Sequence, residues 1–508
     1  MNIYYLPLAI FSFFINYFYA SLGVLPIDTF AYVDTGYRIL NNEKPFVDYW
    51  TTSGPFIDII VSFFFKILGT SWAAYVISSS TINLLISLLT FHFFLKINIK
   101  TNYSFFYSIC FATLANPSMG TPFADHYSSF FSLAAIYFLI LGLLSNNKIY
   151  FILIPLSLFF GFFCKQTPSG YVFFLVIIFF TYEIFFLKKF SYLKYLLIGS
   201  AISVFLFLGY VYYNNIDLNL IFLQYILFPK TIGSARLSEF EFSFKNIILN
   251  YKFIYIFLTL LIFFLVKNIK ITNYKKINLI LFFSSFIFIF HQILTWNFIF
   301  IFFLIPILSG VIHSNLTFLK SKKKILLSLT ILLCVFSTAK YHLRFNEQRK
   351  MINLENINLS NYIDAEVINN KLKGLKWISF NYADKPQSEI IFVKKFLEIL
   401  EKDKKKIMII TNYQFFSFLL NKQLNSPSRW FERSVAYPDA NNKYFNDYVF
   451  FIKKLIEDKR IETIYVDNIV KKEHDYVIEE LINNYPKNCV NKEFLEENII
   501  RYQLLNCF

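Results

Sequence analysis

The sequence predicts an α-helical polytopic membrane protein with a small α/β domain at its C-terminal end. Three observations predict it. The 508 residues are 56% hydrophobic and only 16% charged, against about 25% charged in an ordinary soluble domain, and no water-soluble fold of this size has an interior able to hide that much apolar surface. Apolar runs recur at close to the ~20 residues a helix needs to cross hydrocarbon. Beyond residue 343 the composition turns to dense mixed charge, and the apolar runs shorten.

Taken in order, the runs predict eleven spans near residues 4–22, 72–95, 103–120, 128–144, 149–164, 170–187, 196–214, 252–267, 277–294, 296–312 and 325–342. The first does not read as a cleaved signal peptide, because no basic segment precedes it and Ala20-Ser21 is a poor cleavage site. Residues 56–68, FIDIIVSFFFKIL, are short and interrupted by Asp58 and Lys66, which suits a helix lying in the interface.

Eleven spans put the termini on opposite sides, and the loop charges agree. Lys96 and Lys100, Lys148, Lys188 to Lys194, Lys267 to Lys276 and Lys320 to Lys324 fall in alternate loops that carry no acid. The loops between them hold Asp28, Asp34, Asp125, Asp217, Glu239 and Glu241. The positive-inside rule then predicts a multi-pass protein of the inner (plasma) membrane with a cytoplasmic N-terminus and an extracytoplasmic C-terminal domain. Much of the formal charge of +16 is orienting charge. No basic patch is interleaved with stacking aromatics, which excludes nucleic acid as a partner.

The predicted domains are a membrane domain, 1–342, with an acidic first extracytoplasmic loop at 23–55, and an α/β domain, 343–508, entered through a helical connector at 344–404. KKIMIITNY (405–413) reads as a buried strand followed by helix-like QFFSFLLNK. Residues 444–460 have helical periodicity, and IETIYVDN (461–468) reads as the next strand. Cys110, Cys164 and Cys334 lie in apolar runs as small hydrophobes. Cys489 and Cys507 are able to pair if the tail is outside the cytoplasm.

The chemistry gathers in the acidic loops. In the first loop Asp28 and Tyr32 are four residues apart and share a face on a helix, whereas Asp34 points elsewhere. Local sequence alone favours Asp28 as the N-cap of a helix starting at Thr29. TPFADHY (121–127) offers Asp125 and His126, with an N-cap again the plain reading of Asp125 and a hydrogen-bonded interface residue that of His126. Lys165 in CKQTPSG either snorkels to the headgroups or binds an anionic one. Lys230 and Arg236 in FPKTIGSARLSEF offer further phosphate donors. His291 and Trp296 bracket a tight outer turn. Acids able to take a proton from a hydroxyl, together with cations able to stabilise a departing phosphate, suit transfer from a lipid phosphate.

The stretch DTFAY…GYRILNNEKPFVDYWTTSGPF resembles the first loop of the GT-C superfamily of membrane glycosyltransferases, among them the bacterial protein O-mannosyltransferases and lipid A aminoarabinose transferases. Asp28, Tyr32, Pro45-Phe46-Val47-Asp48 and Pro55 occupy that loop's motif positions. Asp125 matches the second acidic position, and Lys165 the lysine-bearing turn between later spans. Two positions depart: Thr29 stands in place of a second acid, and Asn42 in place of a glycine. The resemblance implies a polyprenyl-phosphate sugar donor, a glycan, lipid or protein acceptor in the cell envelope, and membrane lipids as surroundings. It implies Asp28 as general base, Asp125 as a substrate-orienting acid, and Lys165 as a phosphate contact. It allows a divalent metal, for which Asp28 and Asp125 are the candidate ligands. Tyr32, Asp34, Asp48, His126, Arg236 and His291 complete the expected substrate-binding set. A transporter or flippase of lipid-linked saccharides is the alternative, and it calls for ionisable residues buried mid-span. So is an inactive relative whose tail acts as a binding module.

Overall fold

The computed structural model of the chain describes residues 3–266, 272–317, 323–350, 354–355, 357–467, 478–482, 485–486, 489–496 and 498–505. In chain order its helices are α1 (Tyr5–Tyr19), α2 (Pro26–Thr29), α3 (Ala31–Leu40), α4 (Phe56–Leu68), α5 (Trp72–Lys96), α6 (Thr101–Ala115) and α7 (Ala124–Ser145). Then follow α8 (Lys148–Cys164), α9 (Ser169–Thr181), α10 (Ser191–Asn214), α11 (Leu218–Ile221), α12 (Phe228–Ser238), α13 (Phe244–Ile247), α14 (Lys252–Val266), α15 (Thr272–Thr295), α16 (Leu304–Leu316) and α17 (Lys323–Leu343). The C-terminal part adds α18 (Pro386–Lys402), α19 (Phe416–Leu420) and α20 (Phe445–Lys459).

A helix stands at each of the eleven predicted spans. Among the described residues, seven helical segments are long and apolar enough to cross a membrane: Trp72–Lys96, Ala124–Ser145, Ser169–Phe186, Ser191–Asn214, Phe244–Val266, Tyr274–Thr295 and Lys323–Glu347. Shorter apolar helices are Tyr5–Tyr19, Lys148–Cys164 and Leu304–Leu316. The chain is a multi-pass membrane protein. α4 covers the expected short apolar segment, and it is not among these spans.

The chain forms two compact units, each assembled from three separate segments. The first comprises Met1–Ser21, Val76–Tyr210 and Arg236–Ile357; the second comprises Leu22–Tyr75, Val211–Ala235 and Asn358–Phe508.

In the first unit α7 is the most buried long apolar helix, with 78% of its apolar window inside the protein. Small residues let its neighbours close on it. At Gly161 of α8 an added Cβ would stand 2.2 Å from Ser169 Oγ and 3.3 Å from Ser128 O, so this approach admits no side chain. α10 is the opposite case. Only 11% of its window is buried, and Phe205, Leu208 and Val204 are exposed, as lipid-facing residues are. The predicted span at 296–312 differs from what forms. The helix there is α16, and Trp296 and Phe298 take left-handed backbone with φ of 58° and 56°. From Ile299 onward the non-helical stretch is buried, and Gln292 Oε1 accepts from Ile299 N at 3.2 Å and Phe300 N at 2.9 Å. Irregular backbone survives at such a depth only when protein groups satisfy it in this way. Glu183, at the end of the Ser169–Phe186 segment, is buried and paired with Lys276 and, at 3.1 Å, with Lys189.

The second unit holds a four-stranded mixed sheet: β1 (Ile407–Ile410), β2 (Thr463–Asp467), β3 (Val490–Glu496) and β4 (Ile499–Leu504), in the order β1-β2-β4-β3. β1 and β2 are parallel, which requires a crossover connection, here the chain running through α19 and α20, and β4 runs antiparallel to both its neighbours. β1, α19, α20 and β2 stand where periodicity puts them. Met408, Ile410, Ile464 and Val466 pack on Tyr448, Ile452 and Ile456 of α20. Trp50 joins this core from the first loop, with its ring edge-on to Tyr448 at 5.3 Å and to Phe451 at 5.7 Å. Cys489 is disulfide-bonded; Cys507 lies outside the described residues.

Candidate active site

In the first unit, three elements bring an acid, a cation and an imidazole together. Asp125 is the second residue of α7, whose N-cap is Phe123, so the capping reading of Asp125 does not hold. Its Oδ2 accepts from Lys165 Nζ at 2.7 Å, and its Oδ1 faces His291 Nε2 at 2.9 Å. Lys165 ends α8, and His291 lies in α15, with its Nδ1 3.1 Å from Thr167 Oγ1. With the ring proton on Nε2, the threonine hydroxyl donates to Nδ1, and Nε2 stands beside the Asp125 carboxylate without a formed hydrogen bond to it. Asp125 and His291 are buried, whereas the Lys165 side chain keeps 22% of its exposure. An ammonium has three donors. Asp125 takes one, and Lys165 Nζ has no other hydrogen-bond partner among the described residues.

His126 is fully buried beside Asp125. Its ring meets Phe300 at 4.5 Å and Phe123 at 6.1 Å between centroids, and neither ring nitrogen has a hydrogen-bond partner among the described residues. Arg236 stands half-buried in the last turn of α12 and forms no ion pair among the described residues.

The second unit holds the first-loop residues. α2 begins at Pro26, with proline preset for a first helical turn. Asp28 is therefore inside that turn, half-buried, and not its N-cap. The turn is closed instead by Thr29, whose Oγ1 accepts from Leu25 N at 3.0 Å, so Thr29 has a structural use at the position where an acid is expected. Asn42 likewise has φ of 66°, a left-handed conformation that asparagine tolerates better than other side chains and that glycine adopts freely.

Two buried arginines organise this unit. Arg429, which the sequence reading missed, donates to Asp58 and stacks over the Tyr32 ring at 4.8 Å. Asp58 also accepts from Thr35 Oγ1 at 2.6 Å. Burial pushes the Asp58 carboxyl up to about 6, with the Arg429 guanidinium pulling against that rise. Arg38 donates to Glu43 Oε2 and Ser426 O, both at 2.7 Å, and to Asp48 O at 2.9 Å, with Asp34 at 3.7 Å. Burial raises the carboxyls of Asp34 and Glu43 as well. Asp48 accepts from Lys44 N at 2.7 Å and pairs with Lys459 at 2.6 Å. Nothing in SPSRWFER distinguishes Arg429 from a surface arginine. The one local signal was Asp58, an acid inside an apolar run that needs a partner.

Among the described residues no three His, Cys, Asp or Glu side chains gather closely enough to hold a metal ion. Both oxygens of Asp125 already face Lys165 and His291.

No family model matches the sequence, and no curated protein matches it. The structure is similar to that of ArnT from Cupriavidus metallidurans bound to undecaprenyl phosphate. The two are 9% identical, with a TM-score of 0.50, over 98% of this chain and 97% of that one. It also matches the archaeal oligosaccharyltransferase AglB from Archaeoglobus fulgidus, in complex with an inhibitory peptide and a dolichol-phosphate. There the identity is 10% and the TM-score 0.46, over 94% of this chain and 71% of that one. The likeness to ArnT shows that the two chains share a fold.

Proposed function

We propose that this chain, on its GT-C fold, transfers a sugar from a polyprenyl-phosphate-linked donor to a cell-envelope acceptor on the extracytoplasmic face of the membrane. The observation that carries the reading is Lys165: a cation oriented by a buried carboxylate, its ammonium otherwise unpaired among the described residues, where a lone snorkelling lysine would have had none of that support. That the protein of like fold was crystallised with undecaprenyl phosphate supports a polyprenyl phosphate as the lipid. In the proposed reaction Asp28 accepts the proton of the acceptor hydroxyl as its oxygen attacks the anomeric carbon. The bond from that carbon to the phosphate oxygen breaks, and its electron pair leaves with the phosphate. Lys165 stabilises the charge that builds there. Asp125 and His291 hold Lys165 in place, and Arg236 supplies a second phosphate contact.

The transporter reading requires an acid buried at mid-span, and the described residues hold none. The buried acid Glu183 lies at a segment end, paired with lysines, and not at mid-span.

The test uses the full chain in detergent and in liposomes. Lys165→Ala weakens equilibrium binding of undecaprenyl phosphate roughly tenfold or more, the scale of a lost charge-assisted hydrogen bond. Asp28→Asn binds the lipid as the wild type does, inserts normally, and transfers no sugar. Wild-type transfer by Asp28→Asn, or unchanged lipid binding by Lys165→Ala, overturns the respective assignment.

A further inference from the structure

The first unit buries a second set of polar groups beside the Asp125–Lys165–His291 cluster, and the reaction proposed above does not use it. Both ring nitrogens of His126, Nε2 of Gln292 and Oγ of Ser129 are buried without a hydrogen-bond partner among the described residues. His126 and Gln292 are each 0% exposed. Folded proteins leave roughly a tenth or fewer of such buried groups unpaired. Here several share one locality.

Two routes tie them together. His126 follows Asp125 on α7, and Gln292 follows His291 on α15, and Asp125 and His291 are in contact. Phe300 is the second route, since its ring lies against His126 and its backbone N–H donates to Gln292 Oε1. Ser129 lies three residues from His126, hence on the same side of α7.

The geometry points to a sugar-recognition subsite formed by His126, Gln292 and Ser129, specific for a neutral, hydroxyl-rich hexose carried on the phosphate that Lys165 holds. A neutral imidazole offers one donor and one acceptor, an amide nitrogen two donors, and a hydroxyl both functions. Sugar hydroxyls answer that inventory. The Phe123 and Phe300 rings next to His126 suit the C–H face of a pyranose. None of the three polar side chains carries a carboxylate or a cation, so nothing in the set selects an amino or acidic sugar. A site built to hydrogen-bond hydroxyls discriminates strongly against a ligand lacking them, because its own buried groups then stay unpaired. This inference rests on the proposed lipid-phosphate chemistry.

The experiment compares equilibrium binding of undecaprenyl phosphate with that of undecaprenyl phosphate bearing one glucose, mannose or galactose, on the full chain in detergent. Wild type is expected to bind at least one hexosyl lipid roughly tenfold or more tightly than the bare lipid. His126→Phe and Ser129→Ala each abolish that preference while keeping bare-lipid affinity within about threefold. His126→Asn, which returns a donor and an acceptor, regains part of it. A preference that survives both substitutions overturns the inference, as does equal loss of both lipids in the folded variants. If the wild type binds bare and hexosyl lipid equally, the subsite falls while the phosphate reading stands. If it binds neither, the proposed function itself falls, and the subsite with it.

Discussion

Arg429 and Asp58 are 371 residues apart in sequence and in direct contact in the fold. Burial of the pair leaves a titratable signature. The Asp58 carboxyl is pushed from 3.8 up to about 6, so the folded protein holds this proton more tightly than the unfolded chain. A raised carboxyl favours the folded state at low pH, and that contribution is lost as pH rises through the folded value. The window is therefore about pH 4 to 6. The shift corresponds to about 3 kcal/mol at most. Thermal melts should show the wild type gaining stability from pH 7 to pH 5, and Asp58→Asn, which mimics the protonated form, should flatten that slope. A wild-type slope of opposite sign, or one unchanged in the variant, contradicts this account. The pair also marks a limit of sequence reading. Asp125 and Lys165 were legible because each is a charge next to a long apolar run, whereas Arg429 lies in a segment of mixed charge where arginine is unremarkable. The capping role that local sequence favours for Asp28 does not form, because Pro26 starts the helix three residues ahead of Thr29.

At the scale of elements, the first loop is held by a tryptophan near its C-terminal end. Trp50 N donates to Pro427 O at 2.8 Å, Arg429 N returns a bond to Trp50 O at 3.3 Å, and the ring fills the core between Tyr448 and Phe451. Gln224 braces the same stretch through Thr51 N at 3.1 Å and Phe46 O at 2.9 Å. Trp50→Ala should cost about 3–5 kcal/mol, the usual loss for a buried aromatic cut to alanine, read as a lowered midpoint in chemical or thermal unfolding. A change below about 1 kcal/mol would mean that the ring is not integral to this core. The helices themselves were legible because hydropathy is local. The edge strand β3 and its neighbour β4 were not: β3 is polar and partly exposed, and pairing of the two with each other, and of β4 with β2, defines them more than composition does.

On the scale of the whole chain, the second unit takes its parts from three separated stretches. A chain ending at Ile357 keeps Leu22–Tyr75 but loses the groups that pair with Arg38, Asp48, Trp50 and Asp58. Limited proteolysis of such a truncation in membranes should cut within residues 22–75 at least tenfold faster than in the full chain, the expected consequence of removing the contacts that oppose local opening. Equal protection in the two forms would show that the first loop folds unaided. Composition alone indicated a membrane part and a tail. It could not indicate that the tail's core includes a tryptophan from the first loop, because long-range packing leaves no periodic trace in either segment.

The exposed helix α10 has a consequence for where such a protein can reside. Its 24 residues rise about 1.5 Å each, some 36 Å in all, against about 30 Å of hydrocarbon in an average bilayer. Lys194 stands near one end, and the exposed Tyr212 and Tyr213 near the other, residue types that settle at the headgroup boundary. With little protein packed around it, this helix meets acyl chains along most of its length. It acts as a depth gauge: a thin membrane must tilt it or stretch to match, at a cost that rises with each ångström of mismatch.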